Sequence, residues 1–265
     1  AAGINPVDNA IVKGEFKPLL KFALPAVMGS DLAGVVVEAG AGVTRFKVGD
    51  AVFGLGGVSD TTAEFAVLTA WAPVPGKWST AQAAAAGLAS ATAAGAIEAF
   101  GDLTGKTFLI EGASGAVGSA AAVFALAAGA TVIGTGRESN HPHLESLGVL
   151  PTTYGEGLAE RVAVLAPGGV DAALHAAPSD SLPDLLEIVG DASQVVTVID
   201  HDGAARLGVK SVSARNDSSL LRYVAELGRD GLYTPRVDHE FSVDEIVSAH
   251  SVAENGSGKV VVTLI

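Results

Sequence analysis

Cysteine is absent from all 265 residues. That excludes disulfides, thiolate nucleophiles and zinc sites built on Cys, and it fits a reducing compartment, with a cytoplasmic location expected. Positive charge is scarce: 16 Lys and Arg stand against 29 Asp and Glu, a formal net charge of −13. A surface this acidic repels phosphate backbones and anionic bilayers, so neither nucleic acid nor membrane is an expected partner. Uninterrupted apolar runs of membrane-spanning length are missing too. The nearest, Ala81–Ala99, is mostly alanine and is broken by Gly, Ser, Thr and Glu. No signal-peptide pattern is seen at the start, although Ala1 is not an initiator residue.

What is present is apolar: 49% of the residues, enough for a sizeable core in one large domain or two ordinary ones. The first 75 or so residues are rich in Val, Gly and turns. Short apolar runs at Val35–Glu38, Ala51–Phe53 and Phe65–Leu68 are separated by "EAGAGVTRFKVGD" and "GLGGVSDTT", which read as turns. Ala81–Phe100, dense in Ala, reads as helix. From Lys106 the pattern alternates. Thr107–Glu111, Thr131–Thr135, Pro151–Tyr154, Val170–Ala176, Gln194–Ile199 and a weaker Val209–Ala214 read as strands. Between them Ala116–Ala128, His143–Leu147, Gly157–Leu165 and Leu182–Val189 read as helices, with Ser218–Leu227 following. Strand–helix alternation specifies a parallel sheet covered on both faces. The tail offers a helix, Val243–Ala253, and a last strand, Lys259–Ile265. The expected fold is therefore α/β: a β-rich lobe plus a doubly wound parallel sheet.

The stretch "LIEGASGAVGSAAAVFALAAGATVIGTGR" (109–137) carries the chemistry. Gly112, Gly115 and Gly118 lie between a strand and a helix, and a second strand follows on time. A helix start leaves N–H groups unpaired and partly positive, so a diphosphate can sit there if no side chain blocks it. Gly112 lets the chain leave the strand sharply, Gly115 lets phosphates approach, and Gly118 lets the helix lie close. The spacing is G-x-x-G-x-x-G rather than G-x-G-x-x-G; a tight turn without ligand is the alternative. The second strand ends in Thr135-Gly136-Arg137. NAD sites place a carboxylate there; an Arg accommodates the 2′-phosphate of NADP. Gly136 fills the acidic slot without charge, and Arg137 would pair with the phosphate. Glu138 could take the carboxylate role if the strand ended later. The reading is NADPH.

Four blocks, "AAGINPVDNAIVKG" (1–14), "GSDLAGVVVEAGAGVTRFKVGDAVFG" (29–54), "GASGAVGSAA" (112–121) and "GSGKVVVTL" (256–264), resemble the zinc-independent quinone oxidoreductase branch of the medium-chain dehydrogenase/reductase superfamily. The resemblance implies a GroES-like lobe (1–80 and 236–265), a Rossmann NADPH-binding lobe (81–235), and a cofactor between them. It implies hydride transfer from NADPH to a small hydrophobic quinone, enone or alkenal, in a homodimer or homotetramer. Asn5 and Thr92 would approach the nicotinamide. Gly115, Ala116, Val117 and Gly118 would meet the pyrophosphate. Thr135, Gly136, Arg137 and Asn140 would surround the 2′-phosphate, and Tyr154 would lie near the adenosine phosphate. Ala176 and Ile199 would line the cleft.

Some features depart from the family pattern. Two further strands are expected before the first block. The tyrosine expected two residues after Asp8 is Ala10, and "SDTTAEF" (59–65) replaces a more glycine-rich stretch.

Zinc-dependent relatives polarise a carbonyl with metal. Here none of the six His, at 141, 143, 175, 201, 239 and 250, falls in the first 80 residues, the part of the β-rich lobe where zinc ligands would be. His141 and His143 form a close pair read as polar loop residues. Reduction of an acceptor already prone to take hydride is the natural chemistry. No catalytic acid is assigned; the proton would come from the ribose hydroxyl or water. Asp31 reads as a turn residue bonding backbone and Asp8 as structural. Tyr223, Tyr233, Trp71 and Trp78 read as packing residues. An enoyl reductase for thioester-bound acyl chains and a non-catalytic NADPH-binding protein are the alternative functions.

Overall fold

Alternation from Thr107 onward builds a parallel six-stranded sheet in the computed structural model, which describes residues 1–17, 24–57 and 59–264. The chain divides into two units, Ala1–Ala91 with Asn216–Ile265, and Thr92–Arg215.

The second unit carries β5 (Thr107–Glu111), α3 (Ala116–Ala127), β6 (Thr131–Thr135), α4 (His141–Ser146) and β7 (Leu150–Thr152). It continues through α5 (Leu158–Leu165), β8 (Ala172–His175), α6 (Leu182–Val189), β9 (Val195–Thr197), α7 (His201–Leu207) and β10 (Lys210–Ser211). The strand order is β10-β9-β8-β5-β6-β7, all parallel. The order reverses between β5 and β8, and in such sheets ligands bind outside the strand carboxyl ends at that point. Its four central strands, β5, β6, β8 and β9, are buried on both faces along most of their length, as a doubly covered sheet requires. Leu109, Ile133, Ala173 and Val195 pack with Leu182 and Leu185 of α6, all fully buried. Phe108 meets Phe100 edge-on, with ring centroids 4.8 Å apart.

The first unit holds β1 (Ala2–Ile4), α1 (Pro6–Lys13), β2 (Asp31–Val35), β3 (Ala51–Leu55) and β4 (Ala70–Pro73). After the second unit come α8 (Ser218–Arg229), β11 (His239–Ser242), α9 (Ile246–Glu254) and β12 (Val260–Thr263). The sheet order is β11-β12-β1-β2-β3-β4, antiparallel except for β11 beside β12. The last strand ends at Thr263; Ile265, like Val58 of the expected turn, lies outside the described residues.

The expected run Phe65–Leu68 forms no strand; Phe65 and Val67 are 73% and 81% exposed. Pairing begins at Ala70, opposite Leu55. Gly54 sets that register, because a Cβ there would lie 2.1 Å from the Ala70 carbonyl oxygen. The Val35–Glu38 run likewise adds only its first residue to β2, with Val35 and Val37 each 61% exposed.

α2 (Thr80–Phe100) is one continuous helix. Ser79 and Gln82 open it reciprocally: Gln82 N–H donates to Ser79 Oγ at 3.1 Å and Ser79 N–H to Gln82 Oε1 at 2.8 Å. In length and composition it could cross a membrane, but 83% of that apolar stretch is buried inside the protein. A helix apolar on every side is the signature of such a core element.

The boundaries at 91/92 and 215/216 differ from the expected 80/81 and 235/236. α8 groups with the first unit because the Trp71 N–H donates to Ser218 Oγ at 3.1 Å, and Gly228 lies so close beneath Trp78 that a Cβ would come within 2.5 Å of the ring. Trp78 also donates to the Tyr233 carbonyl and packs on Phe53 and Tyr233. Trp78 and Tyr233 are thus core residues, and burial lifts the Tyr233 phenol above its ordinary value.

Candidate coenzyme site

Gly112 leaves β5 with φ +78°, a conformation that glycine adopts without strain. It also packs closely: a Cβ would lie 2.8 Å from Ala177 Cβ and 3.1 Å from the Ala176 carbonyl. Gly115 is the extended N-cap of α3, and its N–H donates back to Gly112 O at 3.0 Å. Gly118 serves the turn itself: a Cβ there would lie 2.2 Å from Gly112 O and 2.8 Å from Ala113 Cα. α3 therefore starts pressed against its own loop. Its first backbone N–H groups, at Ala116 and Val117, have no intrahelical acceptor. This is the donor set a diphosphate requires, at the point of strand reversal.

Thr135 is fully buried at the end of β6. Its Oγ1 accepts the Gly112 N–H at 3.0 Å and its carbonyl accepts the Ala113 N–H at 3.0 Å. It braces the glycine turn from beside it. Gly136 is buried next to Ser114 and Leu144. Arg137 is exposed and makes no ion pair among the described residues. A 3-10 turn, Glu138–Asn140, follows, and Asn140 is half-buried before α4. β6 therefore stops at Thr135, not later. Tyr154 is 54% exposed in the loop after β7. Arg161, which the sequence reading did not single out, holds that loop: its guanidinium donates to the carbonyls of Thr153, Tyr154, Gly155 and Glu156 at 2.8–3.3 Å. Ala176 directly follows β8, and Ile199, 42% exposed, follows β9 by two residues. One unit thus gathers 115–118, 135–137, 140, 154, 176 and 199 at the carboxyl ends of β5 to β9. Among the described residues, no three His, Asp or Glu form a metal-holding group.

Thr92 lies inside α2, 8% exposed. Asn5 belongs to the other unit, where it is the centre of a buried polar cluster. Its side-chain N–H donates to Asp31 Oδ1 at 2.8 Å, and its Oδ1 accepts from Lys259 Nζ at 2.7 Å. The amide can face only one way. Asp31, fully buried in β2, also accepts the Leu88 N–H at 2.7 Å and stands 3.8 Å from Lys259 Nζ. It is a strand residue at the heart of an ion-paired cluster, not the expected turn residue. Gly3 and Gly87 make the room, since a Cβ on either would come within 2.7 Å of Asp31. Asp8, the expected structural residue, caps α1: Oδ2 accepts the Asn5 N–H and Oδ1 the Ser30 hydroxyl. Burial pushes its carboxyl up to about 6.

Residues 1–79 match the alcohol dehydrogenase GroES-like domain. A chloroplast envelope quinone oxidoreductase homolog from Arabidopsis thaliana is 31% identical over 99% of this chain and 87% of its own length. A 2-methylene-furan-3-one reductase from Solanum lycopersicum is 30% identical over 99% of this chain and 69% of its own. Among solved structures, an alcohol dehydrogenase superfamily protein from Novosphingobium aromaticivorans superposes with a TM-score of 0.88 at 31% identity, over 100% of this chain and 89% of that one. A GroES-like β unit and a Rossmann unit in one chain define the architecture. The chain belongs to the quinone oxidoreductase branch of the medium-chain dehydrogenase/reductase superfamily.

Proposed function

We propose that the protein is an oxidoreductase that uses NADPH to reduce a small hydrophobic quinone, enone or alkenal without a metal. The observation that carries this is the turn from Gly112 to Gly118: bare of side chains at its N-cap, braced by Thr135, and placed at the strand reversal. The names of the Arabidopsis and tomato relatives, a quinone oxidoreductase homolog and an enone reductase, support the acceptor class. Bound NADPH would supply a hydride from its nicotinamide. The chain supplies position: the Ala116 and Val117 N–H groups would take the diphosphate. Quinones and enones accept hydride readily, so orientation and fixed dipoles suffice without a Lewis acid.

The preference for NADPH over NADH is supported by the end of β6. Gly136 offers no carboxylate to a 2′-hydroxyl, and the exposed Arg137 follows at once. Glu138 lies in the 3-10 turn beyond the strand end. Arg137→Ala should therefore raise the Kd of NADPH by about 10-fold or more, the loss of one charge-assisted contact, and leave that of NADH nearly unchanged. Fluorescence titration with both coenzymes reads this; equal weakening of the two would remove Arg137 from the phosphate site.

A further inference from the structure

Glu111 ends β5 and His175 ends β8, on either side of the strand reversal, and both are buried (2% and 0% exposed). Their protons can be placed by counting hydrogen bonds. Thr197 Oγ1 accepts two backbone N–H groups, from Ile199 at 3.2 Å and Asp200 at 3.0 Å. A hydroxyl oxygen has two lone pairs, so its own proton must go elsewhere. The remaining partner is His175 Nδ1, at 2.9 Å. Nδ1 accepts, and the ring proton of the neutral imidazole sits on Nε2. That nitrogen lies 3.3 Å from Glu111 Oε2 and 3.2 Å from Ser179 Oγ. Ser179 donates to the Glu111 carboxylate at 2.9 and 3.0 Å and is met by Ser181 Oγ at 2.9 Å. Ser, His and Glu side by side suggest a nucleophilic triad, but an Nε2 that already holds a proton cannot take one from the serine.

With the ring neutral, His175 offers Glu111 a hydrogen bond but no compensating charge. Among the described residues no Lys or Arg contacts it. The groups facing the pair are neutral or acidic. Ser179 and Ser181 come from the loop after β8, where Asp180 also lies, and Thr197 comes from β9. Asp200 turns its carboxylate to the Gly203 N–H. A buried carboxylate without a cation is costly. This one also lies next in sequence to Gly112, where an anionic diphosphate would add like charge.

We propose that the Glu111–His175 pair takes up a proton from solvent when a dinucleotide diphosphate settles on the Gly112–Gly118 turn. The inference rests on the coenzyme reading above. The carboxyl of Glu111 receives the proton and donates it to Ser179 Oγ, the Ser179 hydroxyl turns to Ser181 Oγ, and His175 Nε2–H stays on the other carboxyl oxygen, so every group of the pair keeps a partner. By linkage, proton uptake and coenzyme binding strengthen each other, so affinity falls as pH rises.

Calorimetric titration of the full chain at about pH 7, in buffers of different ionisation enthalpy, counts the protons. NADH is the cleaner probe, because the 2′-phosphate of NADPH titrates near pH ~6 itself. The expected result is a binding heat that changes with the buffer in the sense of proton uptake, with the slope lost in Glu111→Gln. Should that variant fail to fold, Glu111→Met, which removes the carboxyl at similar length, is expected to lose the slope as well. A wild-type heat independent of the buffer, or a slope kept in folded Glu111→Gln, would overturn the proposal while leaving the coenzyme reading intact. No binding of either coenzyme would overturn both.

Discussion

Lys259→Met is expected to destabilise the first unit by about 3–5 kcal/mol, the usual cost of stripping one partner from a buried ion pair. Lys259 is 6% exposed and Asp31 is fully buried. The methionine fills similar volume but leaves the Asp31 carboxylate with only neutral donors, Asn5 Nδ2 and the Leu88 N–H. It also removes the donor that fixes Asn5 Oδ1. The double variant Asp31→Asn/Lys259→Met should recover much of the loss. With Lys259 gone, the Asn5 amide can turn over and offer its oxygen to the new Asn amide. Urea midpoints at unchanged m-value give the comparison. A single variant within ~1 kcal/mol of wild type would mean that Lys259 compensates no buried charge.

Two alanine substitutions in the glycine turn should separate packing from binding. Gly118→Ala forces a Cβ to within 2.2 Å of the Gly112 carbonyl oxygen, and backbone cannot yield as a flexible side chain would. α3 must shift off the turn, costing about 1–3 kcal/mol in stability. Because misplacement by ~1 Å can cost ~100-fold in rate, kcat/KM with NADPH should fall by about that factor. Gly115→Ala is different. Its φ of −77° suits alanine, and the nearest atom to its Cβ is Gly112 O at 3.3 Å. Its melting temperature should stay near wild type, yet the methyl would stand where a diphosphate approaches, and NADPH affinity should drop by about 10-fold. Thermal denaturation together with coenzyme titration reads both. If Gly115→Ala bound coenzyme as tightly as wild type, phosphate approach at this residue would be refuted.

The Rossmann unit was legible because its signals are local. A strand, a glycine turn and a helix occupy adjacent residues, and each βα step repeats the pattern between Thr107 and Ser211. The β-rich unit was less so. The apolar look of Phe65–Leu68 suggested a strand, but the register of β4 is set by Gly54, more than ten residues earlier. The polar clusters were not legible at all. Asn5, Asp31 and Lys259 meet only because β1 pairs with both β2 and β12. Glu111 and His175 meet only because β5 and β8 are neighbours in the sheet. Their only traces in the sequence were acidic or basic residues inside otherwise apolar strands, and Gly3 and Gly87 where alanine would have served. The family resemblance gives Thr135 as a phosphate contact. Its partner, the Gly112 N–H, depends on the lateral pairing of β5 with β6.

The most direct measurement is the absorbance of reduced nicotinamide followed in the presence of purified, chelator-treated protein and a panel of quinones, enones and alkenals. The account predicts steady loss of NADPH with at least one acceptor, slower loss with NADH, and no dependence on added zinc. Tight NADPH binding with no turnover across the whole panel, or turnover that appears only on adding metal, would contradict it.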